Sequence, residues 1–300
     1  MNYVVTGATS MIGVALIKCL IKNNHKVLAI VRKNSKKIAR LPKSHLISIY
    51  ESDLCTIETV KCNGKYDVFY HLGWAGTSKK ERDDSLIQSR NIQYTLSAVK
   101  LAKKLGCSRF IGAGSQAESG IIKKEITEDT VGQPETAYGA AKSCSNFMSL
   151  KLCKEYNITH IWARIFSVYG LLDNEYTLIN YCLNKFKNNE DAVFSSASQY
   201  WNFIFEDDAA RMLYAMSKGD VPEGIYCVAH PESKILKEFI LQIKEATRSS
   251  SKMFFKQQNN ENLVTLFVNA KKTYQKIKYT PETTFQEGLM KLLQGNQNHE

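Results

Sequence analysis

Apolar runs of four to nine residues alternate with longer stretches of helical periodicity from the first residues of the chain onward. The runs YVVTG (3–7), KVLAIVR (26–32), LISIYESD (46–53), YDVFYHLG (66–73), RFIGAGS (109–115) and ITHIWARIF (158–166) predict six strands. Between them, Met11 to Ile21, Leu86 to Leu105 and Ala137 to Tyr156 predict helices, the second with apolar positions at Ile92, Leu96 and Val99. Strand–helix alternation of this kind predicts an α/β fold, a parallel sheet with helices on both faces.

After Phe166 the pattern changes. Residues 177–188, 200–219 and 235–248 read as helical or mixed, and 267–293 predicts two helices around a Pro-containing turn. Residues 1–170, with a returning segment near 200–217, are therefore expected to form the sheet domain. Residues 171–300 are expected to form a smaller, interleaved C-terminal lobe over the carboxyl edge of the strands. No Gly/Ser/Pro linker separates the two, so one body with a cleft is expected.

Composition narrows the setting. No internal repeat is present, and no apolar run is long enough to cross a bilayer. A strand predicted almost at Met1 leaves no room for a secretory signal, so a cytoplasmic protein without a membrane partner is expected. Cys19, Cys55, Cys62, Cys107, Cys144, Cys153, Cys182 and Cys227 form no CxxC pair and have no histidine at ligand spacing. Reduced, mostly buried thiols and no metal site are expected. The net charge of +11 comes largely from dispersed lysines, and no nucleic-acid partner is expected. One dense basic run, Arg32 to Lys43, directly follows the second predicted strand.

That location matters because the first strand ends in TGATSMIG (6–13), which opens the first helix. Gly7 permits the tight turn and Gly13 lets the helix pack close to the sheet. The amides of the turn, with the positive helix end, suit a pyrophosphate. Gly7, Thr9, Ser10, Met11, Ile12 and Gly13 are thus candidate dinucleotide contacts in a Rossmann-type, doubly wound sheet, with Ser10 where the usual fingerprint has its middle glycine. Cofactor choice is set at the end of the second strand, where an acid binds the ribose of NAD and a base accommodates the extra phosphate of NADP. Arg32 and Lys33 stand there, nineteen and twenty residues beyond Gly13, and no acid occurs before Glu51. NADP (NADPH) is favoured over NAD.

Tyr138 and Lys142, in TAYGAAK, lie four apart on one helical face. A nearby ammonium, with an oxidised nicotinamide, is expected to draw the phenol pKa down from ~10 and fit it for proton transfer to or from a carbonyl/alcohol oxygen. Ser115, at a predicted strand end, is placed to donate a hydrogen bond to the same oxygen. His71, Cys144 and Cys153 are expected to be structural, and Asp207 and Asp208 to make structural contacts entering a helix.

Together these motifs resemble those of the extended short-chain dehydrogenases/reductases, the nucleotide-sugar epimerase/dehydratase/reductase family, over nearly the whole chain. The resemblance implies that Asp53 and Leu54 contact adenine, and that Leu72, Gly73 and Trp74 in HLGWAG line the cofactor, with Asn91 near it. It implies a catalytic set of Ser115, Tyr138 and Lys142, and places Ser115, Gln116, Tyr138, Ser167 and Trp201 at the substrate, a nucleotide sugar. It also implies a homodimer through the helices containing Asn91 and Tyr138.

Dehydratases of this group carry an Asp–Glu pair directly after the catalytic hydroxyl residue. Gln116 and Ala117 stand there, and Glu118 is one place too far, which argues against elimination of water. The expected activity is NADPH-dependent reduction of a nucleotide-linked 4-keto(-6-deoxy) sugar, with NAD-dependent 4-epimerisation as the alternative. A non-catalytic NADP-binding sensor on the same fold is the alternative of another class. Ser167 and Trp201 replace the Asn and Arg that often hold the substrate diphosphate in the family, so other groups are expected to do so.

Overall fold

The computed structural model describes residues 1–62, 64–78, 80–256 and 263–297. Strands β1 (Asn2–Thr6), β2 (Lys26–Val31), β3 (Ile47–Glu51), β4 (Val68–His71), β5 (Arg109–Ser115) and β6 (Thr159–Ile165) all lie in one parallel sheet. Strands β7 (Ser167–Tyr169), β8 (Ala192–Phe194), β9 (Tyr200–Trp201) and β10 (Phe203–Phe205) follow, then β11 (Gly224–Val228), β12 (Lys234–Ile235) and β13 (Met253–Phe255). The order across the sheet is β3-β2-β1-β4-β5-β6-β11. Successive connections depart in opposite directions between β1 and β4, which opens a crevice at their carboxyl ends.

The helices are α1 (Met11–Lys22), α2 (Ser85–Lys104), α3 (Ala137–Glu155), α4 (Leu178–Lys187), α5 (Glu206–Met216), α6 (Leu236–Ala246), α7 (Lys271–Ile277) and α8 (Phe285–Gln297). Strand alternation divides the core. Tyr3 and Val5 of β1 pack with α1 and α5 on one face, while Val4 packs with α2 on the other. Side chains start the long helices: Ser10 accepts from the Gly13 amide, Asp84 from Leu86 and Ile87, and Thr136 from Gly139.

Helix α5 packs beside α1 against the sheet. Strand β11 falls within 171–300 yet completes the sheet beside β6. Its run GIYCV is short and follows a Pro-Glu-Gly turn, so periodicity alone did not mark it. The smaller lobe has its own core, in which Phe194, Phe203, Phe239 and Phe285 meet residues of α4, α6 and α8. Asp208 fastens the C-terminal tail by accepting from the Tyr279 hydroxyl and the Thr283 amide, a structural role.

The face α2 buries differs from its expected stripe. Val99 is buried with Ala98, Leu101 and Ala102, but Ile92 and Leu96 are only half-buried, and Gln88, Asn91 and Thr95 are buried instead. Each of these polar side chains finds a partner, which makes its burial tolerable. Among the described residues no helix is long and apolar enough to cross a membrane, and no three His, Cys, Asp or Glu side chains cluster as a metal site. Four cysteines are buried and three half-buried; Cys55 alone is exposed.

Candidate active site

A cleft of about 440 Å³ opens at the carboxyl ends of β1, β2 and β4. It is lined by the β1–α1 turn (Thr6 to Ser10), by Arg32, Ser35 and Lys37, by Ser52 to Cys55, and by Leu72 to Ala75. Gly7 has φ +65°, and a Cβ there would stand 2.7 Å from the Gly73 amide nitrogen; a Cβ on Gly13 would stand 2.3 Å from the Gly7 carbonyl oxygen. These two positions therefore exclude any side chain, and the turn lies tight against β4. Ser10 Oγ donates to the Gly7 carbonyl at 2.7 Å and accepts from the Gly13 amide at 3.1 Å, giving the middle fingerprint position a capping job. Met11 and Ile12 carry first-turn amides, which a helix leaves without intrahelical partners, but these two residues and Gly13 lie outside the cleft lining.

The cleft has the features a dinucleotide site needs: a turn of backbone amides at a helix N-terminus at one end, apolar Ile30 and Leu54 in its wall, and cations at the rim. Arg32 faces it with Ser35 and Lys37, which the sequence did not single out, whereas Lys33 lies outside the lining. Asn91 is not in the lining either. It is buried, accepts from the Ala75 amide at 2.8 Å and donates to the Ala75 carbonyl at 2.9 Å, so it holds the cleft-lining loop in place. His71 behaves as a structural residue: its Nδ1 shares a 3.0 Å hydrogen bond with Thr6 Oγ1, which also accepts from the Gly73 amide.

Trp74 joins this cleft to Tyr138 and Lys142. Its indole N–H donates to Gln88 Oε1 at 2.9 Å, Lys142 Nζ lies 3.7 Å from its ring centroid, and its edge meets the Tyr138 ring at 5.8 Å. Ser115, Tyr138 and Lys142 do converge, although from β5 and α3: the Ser115 hydroxyl hydrogen-bonds Tyr138, and Lys142 Nζ donates to the Ala113 carbonyl at 2.5 Å. Arg82, from the turn before α2, places its guanidinium carbon 4.2 Å from the Tyr138 ring centroid. No motif announced Arg82, because only the tertiary fold brings that turn onto α3.

The electrostatics depart from expectation. Burial raises the Tyr138 phenol above its usual value, and the Ser115 hydroxyl and Arg82 only partly offset this. The lysine takes the larger displacement: burial brings Lys142 down to about 7. The unliganded site thus keeps its phenol protonated, as a proton donor requires.

Gln116 sits half-buried in the turn after Ser115, and Ser167 pairs with Phe203 across β7 and β10. Trp201 packs on Phe203, with ring centroids 6.3 Å apart, so it serves the small-lobe core. Its neighbour Asn202 is buried, accepting from the His230 amide and donating to the His230 carbonyl. In the small lobe a second cavity, about 470 Å³, is lined by Tyr176, Leu178, Tyr181, Phe194, Leu236 and Ile240, among others.

Comparison with known proteins gives concordant matches. The model of the family described as "NAD dependent epimerase/dehydratase family" matches residues 3–229. CDP-abequose synthase of Salmonella muenchen is 27% identical over 258 residues, covering 83% of this chain and 81% of that protein. The dTDP-6-deoxy-L-talose 4-dehydrogenase (NAD(+)) of Aggregatibacter actinomycetemcomitans is 25% identical over 257 residues, covering 81% and 90%. Among solved structures, a UDP-N-acetylglucosamine 4-epimerase from Methanobrevibacter ruminantium superposes with a TM-score of 0.89 at 20% identity, covering 100% and 99% of the two chains. At that identity the superposition speaks to the fold.

Proposed function

The chain belongs to the NAD dependent epimerase/dehydratase family, and on that premise we propose that it reduces the 4-keto group of a nucleotide-linked 4-keto(-6-deoxy) sugar with NADPH. It is an NAD(P)-dependent enzyme of the extended short-chain dehydrogenase/reductase type. The observation that carries the reading is Tyr138: a phenol kept protonated by burial, hydrogen-bonded to Ser115 and joined through Trp74 to the dinucleotide cleft. When bound, the nicotinamide supplies hydride. Tyr138 donates its proton to the forming alkoxide, and Ser115 donates a hydrogen bond to the same oxygen. Lys142 would hold the nicotinamide ribose and, while charged, would stabilise the phenolate left behind.

Gln116 and Ala117 offer no carboxylate for removing a proton beside the carbonyl, which sets dehydration aside. Arg32, Ser35 and Lys37 give a 2′-phosphate two cations and a hydroxyl, and favour NADPH. The apolar small-lobe cavity, with Tyr181 and Phe194 in its wall, suits a stacked nucleobase. The two sequence relatives act on CDP- and dTDP-linked sugars by name, one of them as a 4-dehydrogenase. The homodimer belongs to the same proposal: α2 and α3 pack together, and α3 leaves Phe147 69% and Met148 44% exposed on its outer side.

The test is a screen of CDP-, dTDP- and UDP-linked 4-keto-6-deoxy sugars, following NADPH oxidation. Turnover with at least one of them, falling at least about a hundredfold in Tyr138→Phe, is expected. Undiminished turnover in that variant overturns the assignment of Tyr138. Interconversion of a UDP-hexose at carbon 4 without net NADPH consumption replaces reduction by 4-epimerisation, the activity that two solved structures of the same fold carry in their names.

A further inference from the structure

The short antiparallel ribbon of β9 and β12 lies between the two parts of the proposed substrate site. At one end, Ala197 and Leu236 line the small-lobe cavity that suits a nucleobase. At the other, Trp201 packs against the cluster containing Phe166, and Phe166 follows Ile165, the residue that pairs with Ser115 across β6 and β5. A sugar held at Ser115 and joined to a base in that cavity carries its diphosphate along this ribbon.

The start of α6 is a poor anion site. Its Leu236 amide already donates to the Gln199 carbonyl at 2.9 Å and its Lys237 amide to the Ala197 carbonyl at 3.0 Å, while Glu238 adds a negative charge to the first turn. Lys237 Nζ is turned to the Phe255 ring, 4.6 Å from its centroid. Lys234 stands elsewhere. It pairs directly with Trp201, and opposed residues of an antiparallel pair project from the same face, so its side chain lies beside the indole. That side chain is mostly covered, and its Nζ is 3.0 Å from Oε2 of Glu232, an exposed carboxylate. The backbone beneath it is fixed. Buried Asn202 accepts from the His230 amide at 2.9 Å and donates to the His230 carbonyl at 2.8 Å and the Ser233 hydroxyl at 3.0 Å. The Ser233 hydroxyl also accepts from the Val268 amide at 3.1 Å. Only the flexible lysine side chain has to move to meet a ligand.

We propose that Lys234 is the cation that holds the diphosphate of the nucleotide-linked substrate, exchanging its ion pair with Glu232 for the phosphate oxygens. The proposal rests on reading the substrate as nucleotide-linked, with its base in the small-lobe cavity. A lysine paired with an exposed carboxylate is held weakly, because water solvates both partners. A doubly anionic diphosphate, seated by its base at one end and its sugar at the other, offers the ammonium stronger charge-assisted bonds. Glu232 is then a competitor for Lys234, and the two side chains act on affinity with opposite signs.

The deciding measurement is calorimetric titration of the full-length protein with CDP, dTDP, UDP and GDP, and with the nucleoside of each, in saturating NADPH to keep the dinucleotide cleft occupied. At least one diphosphate is expected to bind. Lys234→Met is expected to weaken it by at least about tenfold and to change the affinity of the matching nucleoside by less than about twofold. Lys234→Arg is expected to keep the affinity within about threefold, and Glu232→Gln to raise it by about two- to fivefold. An unchanged diphosphate affinity in Lys234→Met, or an equal loss for the nucleoside, overturns the role of Lys234. If every 4-keto sugar fails in the turnover screen while diphosphate binding still depends on Lys234, reduction falls and this assignment stands. Absence of binding by any of the four diphosphates removes the assignment together with the nucleotide-linked substrate.

Discussion

Lys142 Nζ sits 3.7 Å from the centroid of the Trp74 ring while it donates to the Ala113 carbonyl. The indole thus carries a buried cation on its face and forms a wall of the dinucleotide cleft at the same time. A desolvated cation–π contact contributes about 2 kcal/mol. Trp74→Ala is expected to lower kcat/KM by about thirtyfold, with Trp74→Phe retaining most of the activity. Steady-state NADPH oxidation measures both; equal losses in the two variants would assign Trp74 to packing alone.

Arg82 is a second cation on the Tyr138 ring, beside Lys142. Arg82→Met removes it and is expected to cut kcat by roughly tenfold, leaving the Kd for NADPH unchanged. A rise in the NADPH Kd with kcat intact would relocate Arg82 to the cofactor.

Cofactor preference tests the rim of the cleft. Arg32→Ala with Lys37→Ala is expected to weaken NADPH binding by about a hundredfold and NADH binding by less than about threefold, as a lost charge-assisted phosphate contact requires. Fluorescence titration of both cofactors reads this out. Parallel losses would mean that neither side chain meets a 2′-phosphate.

Acid stability follows from two buried imidazoles. Burial holds His71 down to about 3 and His160 to about 4. The unfolded chain takes up these protons near 6.5, so between that value and about 4 it binds more protons than the folded protein, and stability falls as pH falls. Glu206 opposes this. Burial raises it to about 7, so its contribution is present below 4.5 and is lost as pH rises through 7. The net loss from pH 6.5 to 4.5 is expected to be about 1–2 kcal/mol per pH unit, by urea denaturation. Glu206→Gln is expected to steepen the slope and His160→Gln to flatten it; a slope unmoved by both would assign the acid dependence to other groups.

The outer side of α3 tests the dimer. Phe147→Glu with Met148→Lys is expected to give a monomer in analytical ultracentrifugation, with the fold intact by circular dichroism. A monomeric unmodified protein at micromolar concentration would remove the homodimer from the proposal.

What the chain determined by itself is local. The βα turn with Gly7 and Gly13, the i, i+4 spacing of Tyr138 and Lys142, and the six strands of the first half follow from periodicity, backbone sterics and helix geometry, all of which act over a few residues. The same locality explains why the glycine turn after β1 and the helix carrying Tyr138 and Lys142 were legible, with Ser115 at a strand end. Tertiary structure decided the rest, because the deciding partners are far apart in sequence. Strand β11 became a sheet strand only by pairing with β6, and Asn91 holds the Ala75 loop instead of lining the cleft. Trp201 went to the small-lobe core, and Arg82 came to rest on Tyr138. The protonation of Tyr138 and Lys142 was likewise not written in their spacing. It depends on how deeply the fold buries them and on which charges it buries alongside, and here desolvation is the largest cause for both.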